Sequence, residues 1–300
     1  MNRIFVPPIK CQGIKTKLVK HIRQLSCNTK YSRWIEPFLG SGVVGFNIHP
    51  SKAVYADNNP HIIRFYQDIQ KNIINQYNIS SYLSKEGAVL QKSNGDYYYE
   101  IRDRFNKNPN SFDFIFLNRA CFNGMMRFNS KKEFNVPFCN KPDRFSQAYI
   151  TKIAHQVKNI QDIITHNDYA FLFQPFELTL KDIRETDLVY CDPPYIGRHN
   201  DYFDSWNDKS ERLLFNLLSS ANSRFILSTW HSNDFRSNEY IQLLWNAYNI
   251  NIVSHFYHVG AKEVNRNPVY EALITNFITE KLCSVNKVRE EVGLFDLVKA

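Results

Sequence analysis

Two blocks of alternating strand and helix signals, separated by a stretch without them, limit what this chain can fold into more than any other feature. The first block runs through "RWIEPF" (Arg33 to Phe38), a helix opening after glycines at Val43, "KAVYAD" (Lys52 to Asp57) and "PHIIRFYQDI", whose apolar residues recur at helical spacing. The second begins near Tyr169 with "YAFLF" and "DLVY". It continues through "ERLLFNLLSSA", "RFILSTW", "EYIQLLWNAY", "NIVSHFYHV" and "VYEALITNF". Strands alternating with helices predict an α/β fold with a mostly parallel sheet covered on both faces. Only "GAKEVNRNP" separates the last two strands, too little for a helical crossover, so they are expected to form an antiparallel edge hairpin.

Between 77 and 167 the alternation stops. That segment reads as an insertion of helices around a turn-rich centre, "CFNGMMRFNSKKEFNVPFCNKP", leaving residues 1–76 and 168–300 to build the α/β unit. Its last helix carries Ile150, Ile153, Val157, Ile160 and Ile164 on one face, a stripe expected in the core. Gly124 and the polar run Ser130 to Lys132 suggest a hairpin-like projection between Met125 and Val136.

Three hundred residues, 43% of them hydrophobic, suffice for a well-buried core. Lysine and arginine outnumber the acids 37 to 29, an excess that favours a polyanionic partner. The six cysteines form no Cys-x-x-Cys pair and no zinc-ligand spacing, so reduced thiols and no metal are expected. The opening "MNRIFVPPIKCQG" has no signal-peptide core, and no apolar run reaches about 18 residues; a soluble, cytoplasmic protein is expected.

Chemistry concentrates in two places. In "DLVYCDPPYIGRHNDY" a strand signal runs into Asp192, Pro193, Pro194 and Tyr195. Proline cannot donate to a sheet ladder, and Pro193 keeps Asp192 out of helical geometry, so these four residues should form a stiff loop at a strand's end. After "RWIEPF", Gly40, Gly42 and Gly45 spell G-x-G-x-x-G at a strand-to-helix junction, and Asp57 ends the next strand. Glycines there let backbone approach a ligand, and an acid at the second strand's tip can bind ribose hydroxyls. The spacing suits a dinucleotide or another nucleoside. Glu36 places a carboxylate where a cationic group would sit, which favours S-adenosylmethionine with its ammonium and sulfonium.

Taken in order, "PPIKCQGIK", "EPFLGSG", "YADNNP", "LNRACFNGMMRFNSKKEFNVPF" and "DPPY" resemble the motifs of the Dam-like, D12 class of DNA adenine-N6 methyltransferases. The resemblance covers nearly the whole chain and implies a Rossmann-like, S-adenosylmethionine-dependent fold with a target-recognition insertion. It implies cofactor contacts from Lys10, Cys11 and Lys15, from Glu36 through Gly42 with Phe38 and Gly40 among them, from Asp57 and from Asp192. Pro175 and Phe176 would flank the cofactor's adenine. Cys11 and Ile14 depart from the class, which has an aromatic residue and a glycine there.

The resemblance also implies that Asp192 and the Pro193 carbonyl accept the two N–H bonds of a target amine while Tyr195 stacks on a flipped base. Double-stranded DNA is the implied partner. Asn118, Arg119, Asn123, Arg127 and Asn129 are of the types that pair with adenine and guanine edges, and Lys131 and Lys132 would seek phosphates. Within the class the chain looks most like a modification enzyme that methylates GATATC and works alongside a restriction endonuclease. Cytosine-N4 methylation, a nicotinamide-dependent oxidoreductase and a non-catalytic nucleic-acid-binding module are the alternatives.

Overall fold

The computed structural model describes residues 4–196, 206–233, 235–256 and 268–278. Its sheet runs in the order β3 (Asp168–Phe173), β2 (Lys52–Asp57), β1 (Arg33–Glu36), β4 (Asp187–Cys191), β5 (Arg224–Asn233), β8 (Pro268–Thr275), β7 (Asn249–Phe256), with the short β6 (Arg236–Ser237) paired to β5. From β3 to β5 every pairing is parallel. The last strand enters antiparallel between β5 and β7, so the expected edge hairpin is present with β7 outermost.

Every residue of β1 and β4 is buried, as expected for central parallel strands covered on both faces. Successive side chains alternate between two cores. Trp34, Leu188, Tyr190, Ile226 and Leu273 face one, while Ile35, Val189, Cys191, Leu227 and Ile274 face the other. The second core is closed by α8 (Phe176–Lys181), α9 (Asp208–Ser220) and α10 (Glu239–Leu243), through Leu180, Leu214, Leu218 and Ile241.

The first core is larger. Beneath it lie α1 (Val19–Cys27), α2 (Val43–Ile48) and α3 (Pro60–Gln70), followed by the four helices of the middle segment. These are α4 (Gln76–Lys92), α5 (Tyr97–Lys107), α6 (Ser111–Ala120) and α7 (Gln147–Thr165). The α7 stripe from Ile150 to Ile164 is buried as expected and joins the same continuous core as Trp34 and Tyr190. The middle segment therefore shares the core on the same face of the sheet as α1, α2 and α3.

The asparagines of this chain have local work. Asn59, Asn75, Asn110, Asn207 and Asn238 each cap a helix by accepting a backbone N–H of its first turn. Each such cap contributes about 1 kcal/mol. "EYIQLLWNAY" gives a shorter helix than its pattern suggests. It ends at Leu243, where Trp245 turns fully into the second core.

Candidate active site

In chain order the strands leave β1 toward β2 and β3 on one side, and toward β4 and β5 on the other. A cleft opens at the carboxyl ends of β1 and β4, where open parallel sheets bind ligands. Residues 11–15 of the amino-terminal segment, 36–41, 57–59 and 175–177 line it, with Met126, Asp192, Pro194 and Trp206.

Glu36 ends β1 on the same face as Trp34, whose indole N–H donates to Oε2 at 2.9 Å. Burial pushes its carboxyl up to about 8, against the pull of that hydrogen bond. An acid so placed gains from any cationic group brought beside it. The glycines make the approach possible. A Cβ on Gly45 would stand 2.5 Å from Glu36 Oε2, so helix α2 can pass the acid only with no side chain there. Gly42 has φ +70°, and a Cβ would meet the Phe46 ring at 2.3 Å. It backs onto the core and does not line the cleft, contrary to expectation; Gly40 does.

Asp57 closes the turn from beneath, accepting the amides of Gly40 and Asn59, both at 2.9 Å. Burial raises it to about 6 although those donors oppose the shift. It therefore holds the glycine turn as well as facing the cleft. On the far wall Phe38 stacks on Phe176 with centroids 5.2 Å apart. Trp206 packs against both, at 5.6 and 5.3 Å. These mutually packed rings form an apolar aromatic wall of the cleft against which a flat heterocycle can lie.

Just past β4, Asp192 receives the Lys15 ammonium on Oδ1 at 2.9 Å. Lys15 is 5% exposed, donates also to the Gly13 carbonyl at 2.8 Å, and lies 5.0 Å from the Tyr195 ring centroid. Desolvation lowers its pKa, but Asp192, Tyr195, Glu271 and Tyr190 together outweigh that, and the lysine is held well above its ordinary value. Burial raises Asp192, opposed by Lys15 and by the Ser228 hydroxyl. A carboxylate acceptor, a rigid Pro-Pro frame and a tyrosine ring thus stand beside a cleft able to hold a cation and a flat ring.

The family model described as D12 class N6 adenine-specific DNA methyltransferase matches residues 12–259. The chain belongs to this class. The type II methyltransferase M.FokI of Planomicrobium okeanokoites is 30% identical to it over 286 residues, covering 92% of this chain but 43% of that protein. Modification methylase StsI of Streptococcus sanguinis is 29% identical, with 44% of its own length covered. The chain thus spans less than half of these two curated relatives. It spans 99% of the type II methyltransferase M.MjaIII of Methanocaldococcus jannaschii, at 27% identity.

Among the residues this class resemblance marked for the cofactor, Cys11, Lys15, Glu36, Phe38, Gly40, Asp57, Pro175, Phe176 and Asp192 line the cleft. Lys10 does not. Its side chain lies against Gly124, where a Cβ would come within 2.5 Å of Lys10 Cδ, and burial with Arg144 and Arg119 nearby lowers it to about 8. Burial likewise pushes the Cys11 thiol up to about 12, so the residue standing in for the class aromatic is a neutral, apolar lining group. Tyr195 and Pro193 sit beside the cleft without lining it.

The residues marked for DNA divide. Asn118 and Arg119 lie in α6 and are buried, so they are corrected from base readers to structural anchors. Asn118 accepts the Lys10 amide at 2.8 Å and donates to the Lys10 carbonyl at 2.9 Å, while Arg119 donates to the Pro8 carbonyl and to Gln156. The segment from 125 to 136 forms the expected hairpin, with Phe128 bridged to Phe134. Asn129 shapes its turn by accepting the amides of Lys131 and Glu133. Asn123, Lys131 and Lys132 are exposed, and Arg127 is half-buried with Nε on Asn135 Oδ1 at 3.0 Å. The hairpin rests on α3 through His61 stacked on Phe128 at 5.2 Å. Trp206, Met126 and Glu177 are cleft residues that sequence reasoning missed. Among the described residues no helix is long and apolar enough to cross a membrane.

Proposed function

We propose that this chain methylates the N6 amine of a specific adenine in double-stranded DNA, using S-adenosyl-L-methionine, as the modification enzyme of a restriction–modification system. The observation carrying this reading is one cleft at the tips of β1 and β4 that holds both the buried acid Glu36 and the Asp192–Lys15 pair. Glu36 suits the ammonium of the cofactor, Asp57 a ribose hydroxyl, and the aromatic wall of Phe38, Phe176 and Trp206 the adenine ring. The bound cofactor supplies a methyl group on a positively charged sulfur.

The exocyclic amine of adenine is a weak nucleophile because its lone pair is delocalised into the ring. Asp192 and the Pro193 carbonyl draw on its two N–H bonds and turn the lone pair toward the methyl group, while the prolines keep both acceptors from relaxing. Tyr195 stacks on the extruded base, returning part of the few kcal/mol that flipping costs. Residues 77–167 act as the recognition insertion, with Asn123 and Arg127 toward base edges and Lys131 and Lys132 toward phosphates.

The test supplies methyl-labelled S-adenosylmethionine with a duplex containing GATATC or a scrambled site, followed by nucleoside mass spectrometry. Labelled N6-methyladenine is the expected product. N4-methylcytosine would move the chain to the cytosine chemistry, and NADH binding without methyl transfer would overturn the reading. Label in adenine irrespective of sequence would remove site specificity.

A further inference from the structure

The parallel register of β4 and β5 pairs Cys191 with Leu227. The residues that follow, Asp192 just past β4 and Ser228 in β5, therefore come side by side where the β4–β5 ladder ends. Ser228 is wholly buried, and its Oγ stands 3.0 Å from Asp192 Oδ1 and 3.3 Å from the Cys191 carbonyl. Behind it the Tyr190 hydroxyl lies 3.0 Å from Ser228 Oγ. Tyr190 is itself buried, stacked on Trp34 with centroids 5.7 Å apart.

Proton accounting fixes the direction of this chain. Ionised Asp192 only accepts, and as the nearer and charged acceptor it takes the single Ser228 proton in preference to the Cys191 carbonyl. Were Ser228 to donate to Tyr190 instead, the phenolic proton would be left buried without an acceptor, a costly arrangement. The order that satisfies every group is Tyr190 to Ser228 to Asp192. Lys15 and Ser228 both act on Oδ1, and among the described residues no hydrogen bond falls on Oδ2.

We propose that Ser228, backed by Tyr190, is a positioning residue that sets the rotation of the Asp192 carboxylate so that Oδ2 alone is offered to the substrate amine. This rests on Asp192 being the amine acceptor. Lys15 fixes one oxygen by charge from the amino-terminal segment, and a single contact lets the carboxylate swivel about it. The second contact, from the neighbouring strand, removes that freedom. The other titratable groups acting on Asp192 are Glu271 from β8, Glu36 from β1, Tyr190 and Cys191 from β4, Tyr195 and Cys11. Of the two hydroxyls, only Ser228 donates to Asp192 directly.

The experiment measures single-turnover methylation on enzyme pre-loaded with DNA, across pH, together with cofactor and DNA affinities. Ser228→Ala is expected to slow methyl transfer roughly ten- to a hundredfold, the scale of one hydrogen bond to a charged group, with both affinities unchanged. It also moves the acid limb of the rate profile to higher pH, because a donor that favoured the ionised carboxylate is gone. Ser228→Thr keeps the hydroxyl and restores both rate and limb. Tyr190→Phe keeps the stacked ring and gives a smaller loss in the same direction, which carries the test if Ser228→Ala does not fold. A wild-type rate and limb in Ser228→Ala, or in Tyr190→Phe where that variant carries the test, overturns the proposal. So does a slowed Ser228→Ala whose limb stays in place and which threonine does not rescue. Asp192→Ala, run alongside, separates the two levels: if it still methylates adenine, the assignment of Asp192 falls and this inference with it.

Discussion

At the tips of β1, β2 and β4 the charged side chains are buried or half-buried and already engaged with one another, with a buried indole or with backbone amides, whereas between residues 121 and 139 most polar side chains are half-exposed or exposed. Glu36, Asp57, Lys15 and Asp192 all have displaced pKa values, while Arg127 and Asn129 are held by partners a few residues away within one small hairpin. The difference fits two tasks. Chemistry on a poor nucleophile needs acceptors that do not reorganise, so their desolvation is met in folding. Base reading needs side chains that can trade an internal partner for a base edge when DNA arrives.

The harshest way to break this contrast is Asp192→Ala. If the cleft is separate in function from the hairpin, methyl transfer should fall by a factor on the order of 10³ or more, while specific DNA binding stays within about threefold. Removing one partner of a buried pair also leaves Lys15 uncompensated, so circular dichroism should accompany the assay. Loss of sequence-specific binding in step with activity, in a folded variant, would show that the two regions are not separable.

Asn118→Ala tests the border between them. Its buried amide makes two hydrogen bonds to the Lys10 backbone, and leaving those partly buried groups unpaired should cost roughly 1–3 kcal/mol of stability in urea unfolding. Preference among base substitutions in the site should not change. A relaxed base preference without loss of stability would return Asn118 to the recognition surface.

That residue also shows where the sequence was readable. Strand β2 and the start of α2 fall where their patterns place them, because alternation and a glycine junction are local signals. Glu36 and Asp192 were legible for a related reason: an acid at a strand's end, beside glycines or prolines, has few structural uses. Asn118 and Arg119 were misread although a signal existed. Every residue of α6 except Phe112 is buried, and "SFDFIFLNRA" is apolar nearly all round, the mark of an internal helix. Trp206 and Met126 had no such signal, since nothing local says that a residue far along the chain will close a cleft formed by β1 and β4. The shortened α10 is another tertiary effect, with Trp245 drawn into the core past the last turn.

Glu36 gives a finer test of how far the cleft is prepared in advance. Its pKa rises from 4.5 to about 8 on folding. The folded chain thus holds a proton that the unfolded chain has released, so this contribution to stability is whole at low pH and lost as pH rises through about 8. Between about pH 6 and pH 8 the cofactor-free protein should lose a few degrees of thermal stability relative to Glu36→Gln, which cannot ionise. At the upper pH S-adenosylmethionine should protect the wild type more than the variant, because its cationic groups then meet an ionised acid. Parallel melting curves for the two proteins would assign the titration elsewhere.

The smallest effect belongs to Arg127. In the free protein its guanidinium is held by the side chain and carbonyl of Asn135, a partner easily exchanged at a half-exposed site. If it turns to a base edge on binding, Arg127→Ala should cost about 1–3 kcal/mol of discrimination at one position of the site and leave the others as they were. If it meets a phosphate, binding to all sequences should weaken together, and the slope of affinity against salt should fall by about one. Substituting the site base by base at two salt concentrations tells these apart. A profile unchanged in both respects would mean that Arg127 keeps Asn135 in the complex as well, making this part of the hairpin as fixed as the cleft and removing the contrast where it is drawn most finely.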